Sequence, residues 1–258
     1  MNQDLGNRNK GIFFDLYGTL LIYGDMKRAW ADWLRALYSS LVPLGLSLSL
    51  DSLSRKCDRF LEKEEPAGER GILTPFEKRI QSLCEGVGLC LSADVVARIA
   101  DRVAAAWEEH VRIDPDAPEV LAALQKGKSL ALVSNFDHPR HLRKMVAFHG
   151  LSPLFRSIVI SAEVGVKKPN PSIFRRALEE TGLSPTEVAY VGDTEGDVIG
   201  AAAAGIRPVL IKRPFDCIDS STLDFRTDRD TGAASHSGVG GLDVPTIASL
   251  RELLALPL

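Results

Sequence analysis

The stretch GIFFDLYGTLLI, residues 11–22, decides the fold. An apolar run leads into a single carboxylate, Asp15. A tyrosine, a Gly-Thr turn and a second apolar run follow. The run before Asp15 does not alternate between apolar and polar residues. Strands without alternation are buried on both faces, which points to a parallel sheet. The same form returns in SLALVSN (129–135), SIVIS (157–161) and VAYVGD (188–193), and in RPVLIK (207–212), which lacks a polar end. Helical patterns lie between these runs: APEVLAALQKG (117–127), PRHLRKMVAFHG (139–150), PSIFRRALEETG (171–182) and DVIGAAAAG (197–205). Each closes on glycine, or on a pattern ending in it, a common helix stop. The alternation predicts an α/β fold: a doubly wound, Rossmann-like parallel sheet core. Such sheets bind ligands beyond the carboxyl ends of their strands. Asp15, Ser134 and Asp193 all fall at those ends.

Residues 24–114 break the pattern. Four helical segments follow one another there, at 25–42, 49–65, 74–88 and 92–111, with no convincing strand. The expected organisation is an α/β core from residues 1–23 and 115–258, with an inserted α-helical cap at 24–114. Residues 217–243 are rich in Gly, Ser, Thr and Asp and predict a long loop. VPTIASLRELLALP (244–257) predicts a terminal helix over the core.

Composition narrows the function classes. The 258 residues are 45% hydrophobic and 25% charged, as in soluble globular proteins. A net charge of -3 indicates neither a nucleic-acid nor a membrane partner. Cys57, Cys84, Cys90 and Cys217 show no CxxC spacing and no Cys/His cluster, so reduced thiols are expected. The polar N-terminus and the lack of a long apolar stretch predict a cytoplasmic protein.

Several polar positions can carry chemistry. Asp15 at a strand end is a candidate nucleophile, although one such Asp is more often a turn former or helix cap. Gly18 permits a sharp turn, and Thr19 brings a hydroxyl and an N–H to the following segment. Ser134 and Asn135 are neutral donors suited to a phosphoryl oxygen. Lys168, in GVKKPNPSIF, is a compact positive charge. Lys167 beside it reads as a surface residue. Asp193 and Asp197, in VGDTEGD, add carboxylates that would repel Asp15 unless a cation joins them, and oxygen-rich sets favour Mg²⁺. Asp197 is also a plausible helix cap.

Four motifs in this order, Asp15 to Thr19, Ser134-Asn135, Lys168 with its following proline, and Asp193 to Asp197, resemble the haloacid dehalogenase (HAD) superfamily. Within it the chain is similar to the subgroup with a helical cap between the first and second motifs. The resemblance implies catalysis by Asp15, Thr19, Ser134, Asn135 and Lys168, with phosphate binding by Ser134, Asn135 and Lys168. It also implies Mg²⁺ held by Asp15, Asp193 and the backbone carbonyl of Tyr17, with Asp197 acting through water. The usual first motif is Asp-x-Asp-Gly-Thr, and its second Asp is the general acid and base. Here Tyr17 stands in that place, and a phenol with pKa near ~10 is a poor base at neutral pH. Asp-x-Tyr-Gly-Thr instead resembles the 2-haloacid dehalogenases, which work without Mg²⁺. The acidic fourth motif favours a Mg²⁺-dependent phosphate-ester hydrolase acting on a small molecule. The alternatives are a metal-independent 2-haloacid dehalogenase and a catalytically weakened binding or regulatory protein. Arg28 and Arg35 read as solvated helix residues. Trp30, Trp33 and Trp107 belong either to a helical core or to the cleft between cap and core.

Overall fold

The computed structural model describes residues 9–61, 72–213 and 244–257. In chain order the strands are β1 (Gly11–Phe14), β2 (Leu21–Tyr23), β3 (Val111–Ile113), β4 (Ser129–Ser134), β5 (Ser157–Ile160), β6 (Val188–Gly192), β7 (Arg207–Ile211) and β8 (Thr246–Ile247). The helices are α1 (Met26–Leu41), α2 (Leu50–Lys56), α3 (Pro75–Glu85), α4 (Ala93–Glu108), α5 (Ala117–Gln125), α6 (Pro139–Phe148), α7 (Ser161–Val164), α8 (Pro171–Thr181) and α9 (Glu195–Ala203). Six strands form one sheet in the order β5-β4-β1-β6-β7-β8, and every pairing in it is parallel. The α/β Rossmann-like fold read from the sequence is therefore present.

The apolar runs are explained by burial on two sides. Ile12 and Phe14 of β1, Leu130 and Leu132 of β4, and Val191 of β6 pack on one face with α5 and α6. Phe13, Ala131, Val133 and Tyr190 point the other way, onto Ile173, Phe174 and Ala177 of α8. Successive strand residues face opposite sides, so both parities must be apolar. β1 lies at the centre, with Phe14 level with Leu132 on one side and Val191 on the other. Asp15 therefore leaves the sheet from its middle strand.

The helical insertion has its own core, in which Trp33, Leu37 and Leu41 of α1 meet Ile80 and Cys84 of α3 and Val96 and Val103 of α4. Cys57 and Cys84 are buried and Cys90 is exposed. Cys217 lies outside the described residues. Asp25 caps α1 by accepting from the Arg28 N–H, and Thr74 with Glu77 forms a capping box on α3.

Three local expectations change. β3 is a strand within 24–114, paired antiparallel with β2. This short ribbon closes the base of the insertion, helped by the Gly24 N–H donating to the His110 carbonyl at 2.8 Å. Its short run gave no usable period. The second helix ends at Lys56, because the chain turns at Cys57 and Arg59 takes a left-handed φ of 52°. The C-terminal segment is not an α-helix: Thr246–Ile247 extends the sheet beside β7, and Leu250–Leu254 forms a 3₁₀ turn. Leu250 and Leu253 still cover the core, as the apolar spacing required. The long loop expected at 217–243 lies outside the described residues. Among the described residues no helix is long and apolar enough to cross a membrane.

Candidate active site

The carboxyl ends of β1, β4 and β6 bring the sequence-predicted residues together. Asp15 follows β1, and its N–H donates to the Val191 carbonyl of β6 at 2.9 Å. Ser134 ends β4 and is buried. Asp193 follows β6, and Asp197 lies in the first turn of α9. Lys168 arrives from the segment before α8. Its Nζ donates to Asp15 Oδ1 at 2.6 Å, to Asp197 Oδ1 at 2.7 Å and to the Tyr190 hydroxyl oxygen at 3.0 Å. Burial normally opposes a charged lysine, but Asp15 and Asp197 raise its pKa above the ordinary range.

Oxygens from Asp15, Asp193 and Asp197 lie within 4.8 Å of one another. Burial pushes the Asp15 carboxyl up to about 7 against the pull of Lys168, and the charges of Asp197 and Asp193 add to the rise. Burial also works against charge on Asp197, but Lys168 and hydrogen bonds from Thr194 and Tyr190 hold it below the usual carboxylate range. Three carboxylates facing one ammonium leave a net negative site. That donor set fits a hard divalent cation, which takes oxygen ligands. The backbone makes room for these carboxylates: Gly18 has φ +93°, and a Cβ there would collide with the Asp193 carboxylate. Gly192 is equally constrained, since a Cβ would lie 2.4 Å from Asp197 Cγ.

Some predicted residues act at one remove in this geometry. Asn135 exchanges two bonds with the Lys168 backbone: its Oδ1 accepts from the N–H at 2.8 Å, and its Nδ2 donates to the carbonyl at 3.1 Å. Its side chain therefore positions the lysine. Asp197 accepts on Oδ1 from Lys168 and Tyr190, and on Oδ2 from the Thr194 N–H and hydroxyl. Thr194, not Asp197, is the N-cap of α9. Thr19 is fully buried, and its Oγ1 has no hydrogen-bond partner among the described residues. Arg28 and Arg35 are exposed and bind Asp32, away from Asp15.

Tyr17 enters an arrangement that the sequence did not suggest. Its hydroxyl donates to Glu108 Oε2 at 2.9 Å, and His141 Nε2 donates to the same oxygen at 3.1 Å. Glu108 is buried at the end of α4, and its Oε1 has no hydrogen-bond partner among the described residues. Burial and then the Glu108 charge hold the Tyr17 phenol well above its ordinary pKa, so it is a donor and not a base. The missed residues are Glu108, His141 and Arg213. Arg213 donates to the carbonyls of Gly18 and Thr19 and pairs with Asp114, which fixes the turn after Asp15. Glu108 and Arg213 lie far from the motifs in sequence, His141 lies on α6 soon after Asn135, and no local pattern marks any of them.

A cavity of about 210 Å³ opens between this cluster and the helical insertion. Its polar end carries Asp15, Ser134, Lys168 and Asp193. Its other walls include Trp30, Trp33 and Trp107, so the tryptophans of the insertion serve both its core and the cavity.

The chain is 43% identical over 101 residues to a phosphoserine phosphatase of Thermus thermophilus, a match covering 38% of this chain and 40% of that protein. It is 28% identical over 233 residues to a glyceraldehyde 3-phosphate phosphatase of Methanopyrus kandleri, covering 85% of this chain and 93% of that one. The structure of a 2-haloacid dehalogenase from Pseudomonas syringae superposes with a TM-score of 0.61 at 23% identity, covering 96% of this chain and 97% of that chain, which shows a common fold. A model of the haloacid dehalogenase-like hydrolases matches residues 9–205, a span that contains Asp15, Ser134, Lys168, Asp193 and Asp197. With most of its length in that match, this chain belongs to the haloacid dehalogenase-like hydrolase family.

Proposed function

We propose that this hydrolase is a Mg²⁺-dependent, cytoplasmic phosphate-ester hydrolase that uses Asp15 as its nucleophile. The observation that carries the reading is the group of three carboxylates, buried Asp15 and Asp197 paired with Lys168 and half-buried Asp193 beside them, which calls for a divalent cation. In this reading residues 24–114 act as a helical cap over a core of 1–23 and 115–258, and the chain is a helical-cap member with an Asp-x-Tyr-Gly-Thr first motif. Relatives named as phosphatases of phosphoserine and glyceraldehyde 3-phosphate support the reaction class.

Asp15 and Asp193 would hold Mg²⁺ directly, with the Tyr17 backbone carbonyl, and Asp197 would act through water. When bound, the cation neutralises charge on the phosphoryl oxygens. An Asp15 carboxylate oxygen attacks phosphorus, and the new O–P bond forms as the ester O–P bond breaks. The departing oxygen takes its proton from water. A second water then attacks the aspartyl-phosphate and loses its proton to solvent, releasing phosphate and restoring Asp15. Lys168 offsets charge on the nucleophile and on the incoming phosphoryl group. Ser134 offers a hydroxyl at the polar end, Thr19 supports the turn behind Asp15, and Asn135 holds Lys168 in place.

The haloacid reading rests on Tyr17 alone. Among the described residues no arginine lines the cavity to receive a halide. One panel separates the two: phosphate esters and short 2-haloacids, each assayed with Mg²⁺ and with a chelator. The expected outcome is phosphate release that needs Mg²⁺ and disappears in Asp15→Asn. Halide release in chelator with no phosphate release would overturn the reading.

A further inference from the structure

The cavity itself narrows the substrate. This inference rests on the phosphatase reading and names the ester. Tyr17 and Phe136 stack with ring centroids 5.0 Å apart and planes 10° apart. The series continues through Tyr23 on one side, at 6.3 Å and 20°, and through His141 and His138 on the other, at 19° and 2°. Trp30 stacks on Trp33 at 4.8 Å, and Trp107 meets Tyr17 at 5.7 Å. All of these line the cavity.

Three polar atoms of this wall are directed to carboxylates, the buried Glu108 and the partly exposed Asp101. The Tyr17 hydroxyl and His141 Nε2 both donate to Glu108, and His138 Nε2 donates to Asp101 at 3.0 Å. The cavity therefore presents ring faces. Its described lysines are also committed: Lys167 to Asp137 at 2.9 Å, and Lys168 to Asp15 and Asp197. A carboxylate on the leaving group would lose its water among ring faces and beside two lysines that are already paired with carboxylates. Size agrees with a ring, since about 210 Å³ exceeds the ~150 Å³ cavity that takes one benzene.

An independent observation concerns the leaving oxygen. No carboxylate stands two residues beyond Asp15, and the Tyr17 proton is bound to Glu108. An aliphatic alkoxide, with basicity near that of hydroxide, needs a proton as it departs. A phenolate, at pKa ~10, leaves without one.

We propose that the site takes an aryl phosphate monoester of a single-ring phenol with no ionised substituent. Asp15 Oδ bonds to phosphorus as the aryl O–P bond breaks. The phenolate leaves with the electron pair and is protonated by solvent.

The test separates binding from turnover. The full-length protein with Mg²⁺ is titrated with phenylphosphonate and with phosphonoacetate, following quenching of the cavity tryptophans. Neither probe has a scissile ester, so leaving-group reactivity plays no part. The expected result is phenylphosphonate binding at least about tenfold tighter, with the preference reduced in Trp30→Leu, whose side chain is partly exposed and tolerant of change. Equal binding, tighter phosphonoacetate, or binding of neither overturns the proposal. In turnover, phenyl phosphate is expected to exceed phosphoglycolate in kcat/KM by about tenfold or more, and the reverse order also overturns it. Preferential phenylphosphonate binding with no hydrolysis of any ester supports the aryl-binding cavity and refutes only the phosphatase reading.

Discussion

Replacing Lys168 by methionine removes the ammonium paired with buried Asp15 and Asp197, beside half-buried Asp193. Its Nζ lies 2.6 Å from Asp15 and 2.7 Å from Asp197. At an effective dielectric of ~20, each contact carries about 6 kcal/mol of Coulomb attraction. Desolvation of the three ions offsets most of that, and stripping one partner from a buried ion pair costs roughly 3–5 kcal/mol net. For a chain of this length about 1 kcal/mol moves the melting point by ~2–4 °C, so Lys168→Met should melt ~6–20 °C below the parent in chelator. The deficit should shrink with added Mg²⁺, because a ligand at 100 times its dissociation constant stabilises the fold by about 2.7 kcal/mol. The Mg²⁺-induced rise should be larger in the variant than in the parent, since the variant site carries one more unit of negative charge. Phosphate release should be lost. Urea and thermal unfolding in chelator and in Mg²⁺ measure all of this. A variant as stable as the parent in chelator would refute the claim that Lys168 balances the cluster.

Tyr17→Phe deletes a hydrogen bond to a buried carboxylate, so a loss of roughly 1–3 kcal/mol is expected in urea unfolding, and Glu108→Gln combined with it should cost less than the two changes summed. Gly18→Ala forces a positive φ on alanine and drives its Cβ into Asp193, so kcat should drop by about 10² while circular dichroism stays native. Burial holds His138 below its ordinary pKa, against the pull of Asp101. The unfolded chain therefore binds the proton first, and this histidine's contribution to stability is intact above the unfolded pKa of ~6.5 and lost as pH falls through the folded value. Unfolding midpoints should decline more steeply between neutral and acid pH in the parent than in His138→Gln, and parallel curves would contradict the assignment.

Three motif residues were legible because each sits at the end of a strand whose apolar run is itself legible. Asp15, Ser134 and Asp193 follow β1, β4 and β6, and adjacent strands in a parallel sheet end together. Lys168 came from a short motif, and its position depends on Asn135, Asp197 and Tyr190, which hold it from three directions. Of these, Tyr190 reads as an ordinary apolar strand residue. The C-terminal segment misled because the spacing of Leu250 and Leu253 suits a buried helix face and a buried 3₁₀ turn alike.

The sequence by itself determined the parallel sheet, the helical insertion and the meeting of Asp15, Lys168, Asp193 and Asp197, because these follow from period, run length, strand ends and short motifs. Tertiary structure alone decided what Tyr17 does. Its hydroxyl finds Glu108 from the end of α4 and, through it, His141 from α6, while its ring stacks on Phe136. Those partners come from separate elements, and only folding brings the insertion against the sheet. The residue that breaks the expected carboxylate pattern thus becomes part of an aromatic wall, because a buried phenol is satisfied by one acceptor and contributes its whole ring face to the cavity.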